Sequence, residues 1–285
     1  MRGEHATGVN PENVVWIFCT ARSGSTWLRS LLDEIVDGEV WEEPKVGRLF
    51  GEFYSRAKQT QLGRVNYVLG EPTREAWTKA LRSFVLQTAW ASHPSVTPER
   101  YLIVKEPGGA IGAPLLLDAL PESRMVLLVR DPRDFVASVL DAVEKDGWMQ
   151  EGMEEWARKD LSSERSVQRY VTALSRQYTR QMSNGKKAFD SHKGRKILLK
   201  YDDLRTDTLG AMHHLCAALA IPVEEENLAQ AVEKHSWEAV PDREKGEGKF
   251  YRKATSGGWR EDLTPEQARI IEDITAPLIE EFSFS

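Results

Sequence analysis

The sequence predicts an α/β fold: a central parallel sheet with helices on both faces and a further helical layer over one edge. Three observations lead there. Four short runs, 14–20, 101–105, 124–130 and 196–201, have the apolar composition of strands. Helical patterns separate them, and strands alternating with helices argue for a parallel sheet. The run RMVLLVR (124–130) is apolar almost throughout, as a strand covered on both faces must be.

The elements follow in order. Residues 1–13 are polar, lack the apolar core of a signal peptide and read as a loose arm. VVWIFCT (14–20) stops at ARSGS, and TWLRSLLDEIV then reads as a helix with Trp27, Leu28, Leu31, Leu32 and Ile35 on one face. YLIVK (101–105) leads through EPGGAIGAP to a short helix, LLLDAL. After the third strand comes DPRDFVASVLDAVEK, where Asp131 can cap and Pro132 suits the first helical position. Phe135, Val136, Val139, Leu140 and Val143 form its apolar face. KILLKY (196–201) is the fourth strand, and 206–220 is a helix that stops near Pro222. Two stretches interrupt the alternation, 48–98 and 146–190. Both are helical in pattern and rich in Arg, Gln, Trp and Tyr, and both are assigned to a helical, substrate-side layer. No repeat divides the chain, so 1–285 reads as one domain.

The bulk composition narrows the function. A chain of 285 residues with 41% hydrophobic residues can bury one large core. Its net charge of −6 is a poor match for nucleic acid, which favours a basic face, although a local basic pocket for a small anion is compatible with it. Cys19 and Cys216 fall in apolar patterns and read as buried free thiols of a reducing compartment. No stretch approaches the ~20 apolar residues of a membrane span. The expectation is a cytoplasmic protein.

Three segments carry chemistry. In TARSGSTWL (20–28), a turn between strand and helix offers backbone N–H groups and the positive end of a helix dipole. Gly24 permits close approach, and Arg22, Ser23, Ser25 and Thr26 add donors. The segment is either a plain polar turn or an anion cradle, and it lacks the Walker pattern GxxxxGK[ST]. In LLVRDPRDFVAS (127–138), Arg130 ends a strand, where ligands of parallel sheets collect. It is either an ion-pair partner or, with Ser138, a charge-assisted grip on a phosphate. Asp131, Arg133 and Asp134 read as a solvated charge cluster. FYRKATSGGWREDLT (250–264) sets two cations and two glycines before a C-terminal helix that Thr264 and Pro265 begin well.

Together these segments resemble the sulfotransferase family that uses 3′-phosphoadenosine 5′-phosphosulfate (PAPS), with a bacterial look in VKEPGGAIGAPLLLDALPESRMVLLVRDPRD. TARSGSTWL is similar to the family's 5′-phosphosulfate loop of TYPKSGTTW form, with Arg22 in place of lysine. The resemblance implies a P-loop-like phosphate-binding loop of Arg22, Ser23, Gly24, Ser25, Thr26 and Trp27. It implies a 3′-phosphate site at Arg130 and Ser138, and adenine neighbours at Tyr201, in KYDDL, and Trp237, in HSWEAV. RKATSGGWR aligns with the family's RKGxxGxWK loop and implicates Arg252 and Lys253, while Ala254 replaces its first glycine. The implied reaction is sulfuryl transfer from PAPS to a hydroxyl or amine of a small-molecule, sugar or lipid acceptor, leaving adenosine 3′,5′-bisphosphate (PAP) and requiring no metal.

In such an in-line displacement the protein positions the partners and stabilises developing charge. Arg22 suits an electrostatic clamp, since arginine does not readily give up a proton. Lys105 reads either as a surface lysine or as a second catalytic cation. The acceptor needs a base. The phenol-type branch has a histidine just after this lysine, whereas here the sequence reads KEPGG. The carbohydrate-type branch has a glutamate before proline, and VWEEP (40–44) resembles it at Glu43; Glu106 and Glu42 are the alternatives. The competing functional readings are a P-loop phosphotransferase, opposed by the missing Walker lysine, and a non-catalytic nucleotide-binding module, opposed by the set of clamp cations. Trp41, Tyr54, Tyr67, Trp77, Trp90, Trp148 and Trp156 read either as an acceptor pocket or as core.

Overall fold

The computed structural model describes residues 8–59, 68–143, 161–247, 249, 251, 253 and 255–284, with the backbone alone for 57–59. Among these residues the chain builds one parallel sheet from β1 (Val14–Cys19), β2 (Gly38–Glu42), β3 (Tyr101–Pro107), β4 (Arg124–Val129) and β5 (Lys196–Lys200). The order is β2-β3-β1-β4-β5, every neighbouring pair parallel. The four expected strands are present. β2 was not expected: GEVWE is an edge strand, half-exposed along its length, so it lacks the apolar run that reveals a buried one.

Alternation along β1 sends Val14, Trp16 and Phe18 to one core and Val15, Ile17 and Cys19 to the other. The second core is closed by α1 (Ser25–Ile35), α8 (Thr208–Leu219) and α9 (Glu225–Lys234). On the first face lie α2 (Val46–Gln59), α3 (Arg74–Ser92), α4 (Ala113–Ala119), α5 (Pro132–Val143), α6 (Glu164–Ser191) and α11 (Pro265–Glu281). Two short helices, α7 (Tyr201–Thr206) and α10 (Trp259–Asp262), complete the order. The anticipated starts are in place. The Asp131 carboxylate accepts from the Arg133 amide at 2.8 Å ahead of Pro132, and Thr264 and Gln267 form a capping box ahead of α11. Cys19 and Cys216 are both free and buried.

Three expectations are corrected. Residues 8–13, read as part of a loose arm, are tied down: Val9 is buried, Asn13 donates to the Pro98 carbonyl, and the Glu12 carbonyl accepts from Arg124. Residues 1–7 lie outside the described part. Asp131, Arg133 and Asp134 are not solvated; all three are buried. Arg133 forks onto Asp131, reaches Glu272 at 3.0 Å and stacks on Trp259, so the charges are paired as burial requires. Finally, α3 sinks Trp77, Leu81, Val85 and Ala89 into the first core instead of facing the active edge, whereas α2 and α6 each turn one face to that edge.

The α2 helix lies unusually close to its support. Gly47 and Gly51, one turn apart, rest on the backbone of the turn at Gly109–Gly112. A Cβ on Gly51 would fall 2.5 Å from the Gly112 nitrogen. Within EPGGAIGAP, Gly112 serves this helix-to-turn contact, while Gly109 leaves room for the Glu106 side chain and Gly108 turns the chain at φ +82°.

Candidate active site

The order reverses at β1: the chain leaves it toward β2 on one side, then crosses from β3 over β1 to β4. Ligands of open parallel sheets gather at the carboxyl ends beside such a switch point. There the structure opens a cavity of about 970 Å³.

The loop after β1 is its floor. Arg22 adopts φ +60° and Gly24 φ +83°, turning the chain into α1. No side chain caps α1, so its first amides face the cavity with the helix dipole behind them. A Cβ on Gly24 would stand 2.6 Å from the Tyr201 ring, so glycine is required both by φ and by that ring. Ser25, Thr26 and Trp27 line the cavity. The Ser23 side chain does not: it is fully buried and donates to the Thr20 carbonyl at 2.8 Å, shaping the loop from beneath.

The segment after β4 meets this loop. Arg22 Nε donates to Ser138 Oγ at 3.0 Å, and Arg130 donates to the Arg22 carbonyl at 2.7 Å. The Arg130 guanidinium lies 4.5 Å from the Tyr201 ring centre. Its Nε is buried without a hydrogen-bond partner, a donor left open beside the cavity. Asp134, missed by the sequence reading, accepts from the amides of Gly257 at 2.7 Å and Trp259 at 3.0 Å. It thereby ties the third segment over Arg130. Burial raises the Asp134 carboxyl above its usual range, against the pull of Arg130 and the two amides. Lys253 lines the cavity and pairs with Asp262 at 2.8 Å; Arg252 lies outside the described residues.

At the other end stand two aromatic walls. Trp27 meets Tyr201 edge-on at 6.5 Å and is anchored by its indole N–H on the His235 carbonyl at 2.8 Å. Trp237 lines the same end, with Lys245 over its ring. Of the aromatics considered for an acceptor pocket, Trp41, Tyr54 and Trp77 join the core and Trp90 is exposed; none of the four lines the cavity. Tyr67, Trp148 and Trp156 lie outside the described residues.

Lys105 is not a surface lysine; it is 3% exposed. Its ammonium donates to Thr26 Oγ1 at 3.0 Å and to Glu42 at 2.5 Å, and stands 3.2 Å from the Glu43 carboxylate. Burial of that charge is sustained by the two carboxylates, themselves half-exposed, and losing both would leave the ammonium buried and uncompensated. Glu43 and Lys45 have φ +49° and +61°. With Arg22, they are three non-glycine residues in left-handed backbone that line one cavity, the clustering of strain expected at a working site. Glu106, next to Lys105, points to the opposite face. It is 1% exposed and accepts from the Val46 amide at 2.8 Å, so it caps α2 and does not face the cavity. Burial drives its carboxyl up to about 7, opposed by the amides of residues 45–47 and reinforced by Glu43.

An uncapped helix start, an open guanidinium donor and aromatic walls around one cavity define an enzyme built to hold a phosphorylated nucleotide. The sequence matches the sulfotransferase domain over residues 12–283, and the chain belongs to that family of sulfuryl-transferring enzymes. No curated protein sequence matches it. Among solved structures it is similar to a sulfotransferase, STF9, from Mycobacterium avium (13% identity, 97% of this chain and 78% of the other, TM-score 0.59). It is similar to mouse sulfotransferase SULT7A1 complexed with PAP (14%, 94% and 85%, 0.57). Retinol dehydratase, solved with androsterone and the inactive cofactor PAP, is a third (16%, 96% and 82%, 0.53). At these identities the likeness is one of fold. No helix among the described residues is long and apolar enough to cross a membrane.

Two outcomes test this geometry. Gly24→Ala is expected to cost about 1–2 kcal/mol for the left-handed backbone alone, and more for displacing Tyr201; a urea midpoint unchanged from the parent's would contradict the tight approach. The second concerns Glu106. Its proton is held by the folded state up to about pH 7 but released by the unfolded chain near 4.5, so its contribution to stability is full below pH 4.5 and is lost as pH rises to 7. Glu106→Gln keeps an acceptor for the α2 amides and cannot ionise. Its melting temperature should gain on the parent's between pH 4.5 and 7 and hold that gain above; a constant difference across the window would refute the assignment.

Proposed function

We propose that the chain transfers a sulfuryl group from PAPS, its donor substrate, to a hydroxyl or amine of a small acceptor, with Glu43 as the base. The observation that carries this reading is the position of the Lys105 ammonium, 3.0 Å from Thr26 in the phosphate loop and 3.2 Å from Glu43. It joins the donor end of the cavity to the only one of the three candidate bases that lines it.

The residues fit such a nucleotide. The uncapped amides of α1, with Ser25 and Thr26, suit the 5′-phosphosulfate. The open Arg130 Nε beside Ser138 suits a 3′-phosphate. Trp27, Tyr201 and Trp237 suit the base. Lys253 adds charge over the phosphates, and Arg252, from its sequence position, would join it. Ser23 and Gly24 contribute through the backbone.

The chain's own groups then divide the work. Glu43 takes the proton of the acceptor hydroxyl while the acceptor oxygen bonds to sulfur. Arg22 balances the charge that gathers on the bridging oxygen as its bond to sulfur breaks and PAP departs. Lys105 holds the peripheral sulfuryl oxygens and, through its contact with Glu43, keeps that carboxylate aimed into the cavity. Glu42 fixes Lys105 from the side, and Glu106 fixes the start of α2 from below. A single domain in the cytoplasm agrees with the shared cavity and the two free thiols.

Turnover of radiolabelled PAPS across an acceptor screen tests the reaction itself, and a chain that binds PAP but never transfers label would be a binding module. Arg130→Ala should weaken PAP by about 1.5–3 kcal/mol, the worth of a hydrogen bond to a charged group, and leave adenosine 5′-monophosphate nearly untouched. Equal losses for both nucleotides, measured by calorimetry, would mean that Arg130 only shapes the loop. Glu43→Gln should lower turnover about 10²–10⁴-fold with PAP affinity preserved, while Glu106→Gln should cost far less. Near-normal turnover of the Glu43 variant would move the base elsewhere.

A further inference from the structure

The acceptor end of the cavity is more cationic than sulfuryl transfer requires. The phosphate loop, Arg130 and Lys253 already serve the nucleotide, and Lys105 is matched by Glu42 and Glu43. Beyond Glu43 the walls are α2, with the loop before it, and α6. Both stand on the sheet face opposite α1 and α9, which flank the aromatic end. Lys45 and Arg48 line the cavity from one wall, Arg176 and Arg180 from the other. The only carboxylate these two walls add, Glu52, is already bonded to Arg48 at 2.9 Å.

Arg176 and Arg180 are one helical turn apart, so their guanidinium groups share a face. Neither makes an ion pair among the described residues, and no acidic residue lies three or four positions away along α6. The next residue, Gln181, enters the cavity with its side-chain oxygen buried and without a hydrogen-bond partner, an acceptor open to a hydroxyl or amine of the same ligand. In a chain of net charge −6, two arginines without an acidic partner among the described residues, set in a concave site beside further cations, mark a place for an anion. Two guanidinium forks one turn apart suit a carboxylate, phosphate or sulfate.

We infer that Arg176 and Arg180, which share the cavity with Lys45 and Arg48, form an anion subsite for the acceptor, which therefore carries an acidic group besides the hydroxyl or amine that receives the sulfuryl group. The inference rests on the sulfotransferase reading and narrows it from any small acceptor to an anionic one. The subsite orients the acceptor by its charged end and leaves its reacting group at Glu43.

The test separates the subsite from the donor site. The parent chain and the double variant Arg176→Ala/Arg180→Ala are first titrated with PAP; the same affinity within twofold is expected, because the clamp residues lie in other segments. Each is then saturated with PAP and titrated calorimetrically with sodium sulfate at ionic strength held constant with chloride. The parent should bind sulfate and the double variant should bind it about ten- to a hundredfold more weakly, with Arg176→Lys/Arg180→Lys in between. Turnover of labelled PAPS on matched pairs, glucuronate, glucose 6-phosphate and glucose 6-sulfate against glucose and 4-hydroxybenzoate against 4-hydroxybenzamide, should favour the charged member, and the alanine variant should lose that preference through KM. Equal sulfate affinity in parent and variant, no sulfate binding in the parent, or preference for the neutral members would overturn the subsite. Failure of PAP to bind the parent would overturn the nucleotide reading instead, and the inference with it.

Discussion

Two adjacent residues at the end of β3 hold the site together, and they do so because side chains alternate along a strand. Lys105 turns to the face of α1 and ties Thr26 to Glu42 and Glu43; Glu106 turns to the face of α2 and ties down its first amides. One dipeptide thus fixes the start of α1, the carboxylate loop and the start of α2 against the same point of the sheet. Both polar ends are buried, which burial tolerates only when the partners are in place. The bonds that satisfy the pair also hold the carboxylate loop and the helix starts that surround the cavity, so the geometry of the cavity and the stability of the fold are coupled.

The nucleotide end is organised by the same economy. Arg22 and Arg130 are linked through a carbonyl and through Ser138, and Asp134 brings a segment more than a hundred residues later in the chain over them through two amides. The left-handed conformations of Arg22, Glu43 and Lys45 are held by this surrounding structure. Strain of that kind persists where several contacts over-determine it; here the Arg22 carbonyl is bound by Arg130 and the Glu43 amide by the Lys105 carbonyl.

What the sequence made legible follows the same physics. β1 and β4 are buried along their whole length and read as continuous apolar runs, and the glycine loop and capped helices carry local signals. β2 was missed because an edge strand that is half-exposed and holds two acids has no such run. The cluster at residues 131–134 was misread because composition shows charges but not the partners, Glu272 and the amides of Gly257 and Trp259, that allow their burial. The segments at 20–28, 127–138 and 250–264 stood out by local composition and the resemblance supplied the roles expected of them; that they meet around one cavity is a matter of long-range folding. Arg176 and Arg180 were invisible for the opposite reason: arginines on a polar helix face look alike until the fold shows which of them border a cavity.

The glycine contact between α2 and the turn at Gly109–Gly112 gives the fold a further property. Backbone meets backbone there, so main-chain van der Waals contact sets how closely α2 approaches the turn, while Val46, Phe50 and Tyr54 pack the helix on the core. Residues on its cavity face can therefore be exchanged without shifting the helix or the carboxylate loop that precedes it. Selection can then retune what the cavity admits while its wall keeps its alignment: a fixed hinge plate carrying replaceable fittings, machined by nothing larger than a hydrogen atom at Gly47, Gly51 and Gly112.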